Sequence, residues 1–454
     1  MQSSQSVNTI PSTLRHPTAG RFWLAVLATG AMAGLGAGLL TQLLEAVQRW
    51  AWRGSGTNLL ASAQHAAASR CVLILLTAGV VTGIGQVILR KLSSGNGIDT
   101  TAAIWFHAGR LPALRTLGSA VLSVVVVGLG ASLGREGAPK QVGAVFANVF
   151  SDLTRLSDEQ RRLLVACGTG AGMAAAYGVP LGGALFALEV MRGVLALRYI
   201  LPALFCSATA TAVAWILLPN APTYIVPAYS SSAAAITLSA ICGLLAGWFS
   251  VGYVRLVTWA ERHKPTGWPR VMIPILGLGL LGLTATQFPQ LLGNGKDISQ
   301  LLFFSSVSLP LAGALCLLKP AAILLCVRRG VPGGLFTPSL TCGALLGTVI
   351  GYLASGMGLE VSTGLMALVG AGAVLSATTQ GPISTVVLLM EMTGQDRSFV
   401  LPLLVAVLTA TLLARSIEPR SVYDARLTDE EIAQRQELRE KTVIAPELAA
   451  QDQR

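Results

Sequence analysis

Long stretches without a single Asp, Glu, Lys or Arg alternate along this chain with short charged connectors. Residues 22–44, 116–134, 163–188, 199–254, 271–295, 298–318, 330–359, 361–390 and 398–414 contain none of the four. A helix needs ~20 mostly apolar residues to cross the hydrocarbon core of a bilayer, so the pattern predicts a series of helices at membrane depth. The run 199–254 is long enough for two, and Pro219, Pro222 and Pro227 divide it near its centre. The fold class is therefore an all-α polytopic membrane protein, with little room for a soluble domain. The first run starts at Phe22 after a polar tail and leads into further spans, so it reads as a retained helix, not a cleaved signal.

The chain also repeats itself. Gly95-Asn96-Gly97-Ile98-Asp99 returns as Gly293-Asn294-Gly295-Lys296-Asp297, an offset of 198 residues. Gly134-Arg135-Glu136-Gly137-Ala138-Pro139 has a looser echo in Gly333-Gly334-Leu335-Phe336-Thr337-Pro338, at an offset of 199. Gly168-Thr169-Gly170 followed by Pro180 and Glu189 returns as Gly370-Ala371-Gly372 followed by Pro382 and Glu391, at an offset of 202. Glycine is common here, so one match is weak, but three in order at a near-constant offset are not. Gly/Pro-interrupted apolar segments at matching places in two halves point to the central site of a transporter. The expected organisation is an N-terminal cytoplasmic tail (1–20), membrane repeat 1 (21–217), membrane repeat 2 (218–427) and a C-terminal cytoplasmic tail (428–454). Inversion of the repeats is expected, because it lets both copies aim at one midplane site.

Each repeated loop is a Gly-rich stretch leading into an apolar helix. A helix N-terminus exposes unpaired N–H groups and carries about half a positive charge, and broken helices at membrane depth line cavities or are buried in protein. Several such ends converging on one point would hold a dehydrated halide without a full counter-charge. Glu136 is an ionisable group within such a loop, which makes it a functional candidate. As a carboxylate it can take the anion's place, and protonation would release it; that is a gate. Pairing with Arg135 or Lys140 at the membrane surface is the alternative. Glu189 and Glu391 are expected to be structural, accepting hydrogen bonds from backbone or Arg192. Asn294, Lys296 and Asp297 read as loop or capping residues.

Composition agrees with lipid as the main solvent: 53% of residues are hydrophobic and 12% charged, against about 25% charged in soluble domains. Mean hydropathy is +0.64. The net charge of +11 is scattered in short loops, which fits retention of basic loops in the cytoplasm and gives no support to a nucleic-acid partner. Seven cysteines and four histidines have no metal-ligand spacing, so neither a metal site nor a cofactor is expected. A membrane-embedded hydrolase would need a nucleophile and base on adjacent spans, and no GxSxG motif occurs. Trp23, Trp50, Trp52, Trp105, Trp248, Trp259 and Trp268 sit near run ends, as interface anchors do.

The Gly134-Arg135-Glu136-Gly137 motif, the Gly334-Leu335-Phe336-Thr337-Pro338 motif and a late Tyr423 resemble the CLC chloride channels and chloride/proton exchangers, from about Phe22 to Leu427. The resemblance implies a homodimer in the cell inner membrane, with one pore per subunit and about 17–18 tilted, partly broken helices in two inverted halves. Chloride would be the substrate. Glu136 matches the external gating glutamate, and Leu335 and Phe336 match backbone donors to the anion. Tyr423 matches the tyrosine whose hydroxyl meets the central anion. Asn96, with Gly97 beside it, stands where the family usually has serine, which bears on halide selectivity and keeps fluoride or nitrate as alternative cargo. Asp99 replaces proline and is expected to cap a helix. Val190 stands where many exchangers carry the internal proton-relay glutamate; valine holds no proton, which favours a passive channel over an antiporter. The chain stops at Arg454, so the compact bacterial type without paired nucleotide-sensing (CBS) domains is expected, acting as an electrical shunt in acid stress.

Overall fold

The structure is a computed structural model that describes residues 19–53, 58–92, 99–394 and 399–438. The first half holds α1 (Ala19–Trp52), α2 (Leu59–Gln64), α3 (Ala68–Lys91), α4 (Thr100–Phe106), α5 (Ala113–Gly128), α6 (Gly137–Leu153), α7 (Asp158–Tyr177), α8 (Pro180–Phe186) and α9 (Leu197–Ala214). A π-helical turn, Ala187–Arg192, continues α8. The second half holds α10 (Ala233–Arg262), α11 (Pro269–Ala285), α12 (Lys296–Phe303), α13 (Leu309–Arg328), α14 (Phe336–Gly356), α15 (Thr363–Thr379), α16 (Pro382–Thr393) and α17 (Val400–Ile417). Residues 429–438 are helical as well. Among the described residues no strand forms, and the chain is an all-helical membrane protein of two inverted repeats.

Among the described residues seven helices are long and apolar enough to cross a membrane. The helix α1, at 34 residues, is about 51 Å long at 1.5 Å per residue, so it must tilt to fit a hydrocarbon core of about 30 Å. By contrast α4 and α8 have seven residues each, too short to cross a membrane. The helix α3 is a span that the uncharged runs above leave out. Its stretch from Cys71 to Leu89 carries no charge and has the most apolar window of the seven. The long prolyl-rich break near Pro219, Pro222 and Pro227 falls between α9 and α10, as its helix-breaking residues require.

Helices α7 and α15 form the centre, buried on all sides from Leu163 to Tyr177 and from Gly364 to Thr379. That is why they are apolar around their whole circumference. Each is crossed by its predecessor at a pair of glycines. A Cβ on Gly143 would strike the Gly168 carbonyl, and one on Gly343 would strike the Gly370 carbonyl. The two contacts are repeat mates, so small residues set the same close helix approach twice.

The halves also cap each other. The Glu189 carboxylate accepts from the amides of Ile383 (3.1 Å) and Ser384 (2.6 Å) at the start of α16. Its mate Glu391 accepts from Leu181 (3.0 Å) and Gly182 (2.6 Å) at the start of α8. Each glutamate thus neutralises orphan amides and the positive helix end of the other half. The backbone supplies the donors; Arg192 pairs with Glu159 instead. Of the tryptophans, Trp52 and Trp105 are core residues rather than interface anchors, donating to the carbonyls of Gly128 (3.3 Å) and Met191 (3.0 Å), whereas Trp50, Trp248 and Trp268 are exposed.

Replacing Glu391 by alanine leaves the Leu181 and Gly182 amides unpaired. The expected cost is about 2 kcal/mol, measured as a lower midpoint of thermal unfolding in detergent; an unchanged midpoint would show that these caps carry no stability.

Candidate anion site

The loops before α6 and α14 meet back to back. The amide of Gly134 donates to the Gly334 carbonyl and the Gly334 amide donates to the Gly134 carbonyl, both at 2.7 Å. This exchange brings the first turns of two helices from opposite halves to one point. Glu136 immediately precedes α6 and is fully buried, at 0% exposure. Its side chain reaches across the bridge to α14. One carboxylate oxygen accepts from the Phe336 amide at 2.7 Å, in the first turn of that helix. The other accepts from the hydroxyls of Tyr177 and Thr337, each at 3.3 Å. The two hydroxyls also lie 2.7 Å apart, so with one proton each, one donates to the other and the pair supplies the carboxylate one full hydrogen bond.

Glycine is needed on both sides of this carboxylate. A Cβ on Gly134 or on Gly334 would overlap the Glu136 carboxyl oxygens. The loop glycines therefore serve the close approach of a charged group to backbone. Glu136 is not paired with its basic neighbours. The Arg135 guanidinium lies 5.6 Å from the Tyr177 ring, and the Lys140 ammonium lies 4.2 Å from the Tyr423 ring centroid. A surface ion pair is thus replaced by a buried carboxylate held by one amide and two hydroxyls.

Cavities lie on both sides. One of about 390 Å³ is lined by Arg135 together with Glu45, Arg49, Lys296 and Asp297. Another of about 100 Å³ is lined by Gly137, Lys140, Leu335 and Tyr423, with Asp99 and Arg426. Glu136, the residue between Arg135 and Gly137, lies buried between the two.

Tyr423 lies in a 3-10 turn, Val422–Asp424. Its ring meets Phe186 edge-on at 5.6 Å, and its hydroxyl is buried without a partner. Leu335 precedes α14 as its N-cap. The structure therefore gathers Glu136, Leu335, Phe336 and Tyr423 around one place. Asn96 and Gly97 lie outside the described residues. Asp99 caps α4, accepting from the Thr101 amide at 2.9 Å, and its other oxygen pairs with Arg426 at 3.3 Å. In the matching loop of the second half, Asn294 accepts from the Lys296 amide (3.1 Å) and Asp297 from the Leu60 amide (3.0 Å). Both are capping contacts. Val190 is buried in the π-helical turn, its carbonyl accepting from Arg435 at 3.2 Å.

Sequence reasoning did not find Tyr177 or Thr337 as partners of Glu136, because both come from other elements and no local spacing marks them. The alternative left open by the sequence, a surface pairing of Glu136 with Arg135 or Lys140, does not form, and Lys140 is buried at 8% exposure.

Gly334→Ala is expected to push the Glu136 carboxylate off the Phe336 amide. A crystal or electron-microscopy structure of the variant reads this directly. A carboxylate still seated on that amide would refute the close-packing argument.

Comparison with known proteins gives the family. The family model described as voltage gated chloride channel matches residues 78–415. The chain is 30% identical over 427 residues to the chloride channel protein CLC-f of Arabidopsis thaliana, covering 84% of this chain but 53% of that protein. It thus spans about half the length of that plant relative. It is 30% identical over 434 residues to the H(+)/Cl(-) exchange transporter ClcA of Citrobacter koseri, covering 89% of this chain and 88% of that one. The fold matches that of a slow cyanobacterial Cl-/H+ antiporter with a TM-score of 0.79 at 21% identity, covering 92% of this chain and 99% of the other. The chain is a multi-pass membrane protein that belongs to the voltage-gated chloride channel (CLC) family.

Proposed function

We propose that this protein conducts chloride across the cell inner membrane, with Glu136 as the gate. The observation that carries the reading is the seat of the Glu136 carboxylate on the Phe336 amide, between two cavities. A carboxylate there uses the donors an anion would use. It is an anion on a tether, competing with chloride for a helix N-terminus. Protonation removes its charge and weakens its hold, so flux should rise as pH falls. Leu335, Phe336 and Tyr423 line the path as anion-binding residues, with Asn96 and Gly97 supplying the first loop. The pore lies between repeats spanning 21–217 and 218–427, and two copies form the functional homodimer.

Passive conduction is the preferred mode. Val190 offers no proton carrier at the position where a relay glutamate would stand. Such a leak cancels charge moved by proton-linked processes, which suits a shunt during acid stress. Chloride/proton exchange is the second reading, favoured by the likeness to a relative named as an exchange transporter.

The test is purified protein in chloride-loaded liposomes, with chloride efflux and external pH recorded together, with and without valinomycin, for wild type and Glu136→Gln. Efflux without proton uptake is expected, with the acid stimulation of wild type lost in the variant. Proton uptake in fixed ratio to chloride, abolished in Glu136→Gln, would overturn the passive mode in favour of exchange. Efflux of nitrate or fluoride in place of chloride would move the selectivity to Asn96.

A further inference from the structure

Two lysines are buried among the described residues, Lys140 and Lys319. Lys319 has a structural reason. Its ammonium donates to the carbonyls of Leu291 and Gly293, both at 3.0 Å, and so holds the second Gly-Asn-Gly loop. Lys140 has none of that kind. Its ammonium lies over the faces of Tyr423 (4.2 Å) and Phe186 (5.4 Å) and makes no hydrogen bond or ion pair with any described residue. Ring faces attract a cation but supply only part of what water would. A buried ammonium with no carboxylate in contact is unfavourable.

The surrounding carboxylates are already engaged. Asp99 pairs with Arg426 at 3.3 Å. Glu261 pairs with Arg426 at 3.2 Å and with Lys264 at 2.5 Å. Both oxygens of Glu136 are held by Phe336, Tyr177 and Thr337. Lys140 and the unpartnered Tyr423 hydroxyl line the same cavity of about 100 Å³, well above the roughly 15 Å³ that one water needs. An ammonium and a hydroxyl, neither with a hydrogen-bond acceptor among the described residues, thus face one small space, which Gln141 also lines with an unpaired side-chain oxygen.

We propose that Lys140 is a fixed-charge ligand of the transported anion, a monovalent halide seated between its ammonium and the Tyr423 hydroxyl. The inference rests on the reading that the chain conducts anions. A compact ammonium with freely rotating donors suits a spherical ion better than the planar fork of arginine. A full positive charge at the centre also changes the kinetics. Conduction needs binding weak enough to leave, so this charge makes release the slow step. Lys140 then sets both affinity and rate.

The experiment is calorimetric titration of the detergent-purified protein with chloride, for wild type, Lys140→Met, Lys140→Gln and Lys140→Arg, each checked for folding by gel filtration and thermal midpoint. Loss of the charge should weaken chloride binding by about tenfold or more and raise unitary chloride flux in liposomes. Lys140→Arg, which keeps the charge but not the compact ammonium, should bind chloride more tightly than the methionine and glutamine variants and less tightly than wild type. The glutamine variant answers the question if the methionine variant does not fold, and bromide-soaked wild-type crystals should place an anomalous peak beside the Lys140 ammonium. Chloride affinity unchanged in folded Lys140→Met or Lys140→Gln overturns the proposal while leaving the anion-pore reading intact. A wild type that binds no halide at all overturns the anion-pore reading, and this proposal falls with it.

Discussion

A carboxylate buried at the N-terminus of a helix from the opposite repeat is the interaction on which the rest of this molecule depends. Burying Glu136 is costly unless donors meet it. Donors do: the Phe336 amide at one oxygen and the hydrogen-bonded hydroxyl pair of Tyr177 and Thr337 at the other. Those donors come from α14 and α7, while the carboxylate hangs from the start of α6. The geometry exists only if both halves are folded and docked. The Gly134–Gly334 bridge does that docking, and neither loop could carry a side chain at those positions without displacing the carboxylate.

The repeat explains how such a site arises at low cost. A polar helix end at membrane depth must find partners within the protein. Here each half supplies the partner for the other: Glu189 caps α16, and Glu391 caps α8. The symmetry is broken where chemistry is expected. The chain from Ala187 to Arg192 is π-helical, while its mate continues as ordinary α-helix to Thr393. Val190 lies in the π turn, and the helical stretch 429–438 reaches it through Arg435. Glu136 has no carboxylate mate either; its counterpart in the second loop is the Leu335-Phe336 backbone that receives it.

Much of this was legible in the chain, for physical reasons. Lipid exposure forces long uncharged runs, so helices such as α1, α10 and α14 stand out. Close backbone approach forces glycine, so the paired loops stand out too. The capping roles of Glu189, Glu391 and Asp99 followed from their places beside helix ends. What local sequence does not encode is the partner brought from another element. Tyr177 and Thr337 are 41 and 201 residues from Glu136, and no spacing marks either. The surroundings of Lys140 were not legible for the same reason, since its ammonium lies over the rings of Phe186 and Tyr423, which come from other elements.

The central claim is that the Glu136 carboxylate and the transported anion compete for one place at the start of α14. Bromide-soaked crystals of Glu136→Gln test it most directly through anomalous scattering. The account expects a bromide peak within hydrogen-bonding reach of the Phe336 amide, where the carboxylate oxygen sits in the wild type. A glutamine side chain still bound to that amide, with bromide only elsewhere in the protein, would contradict it.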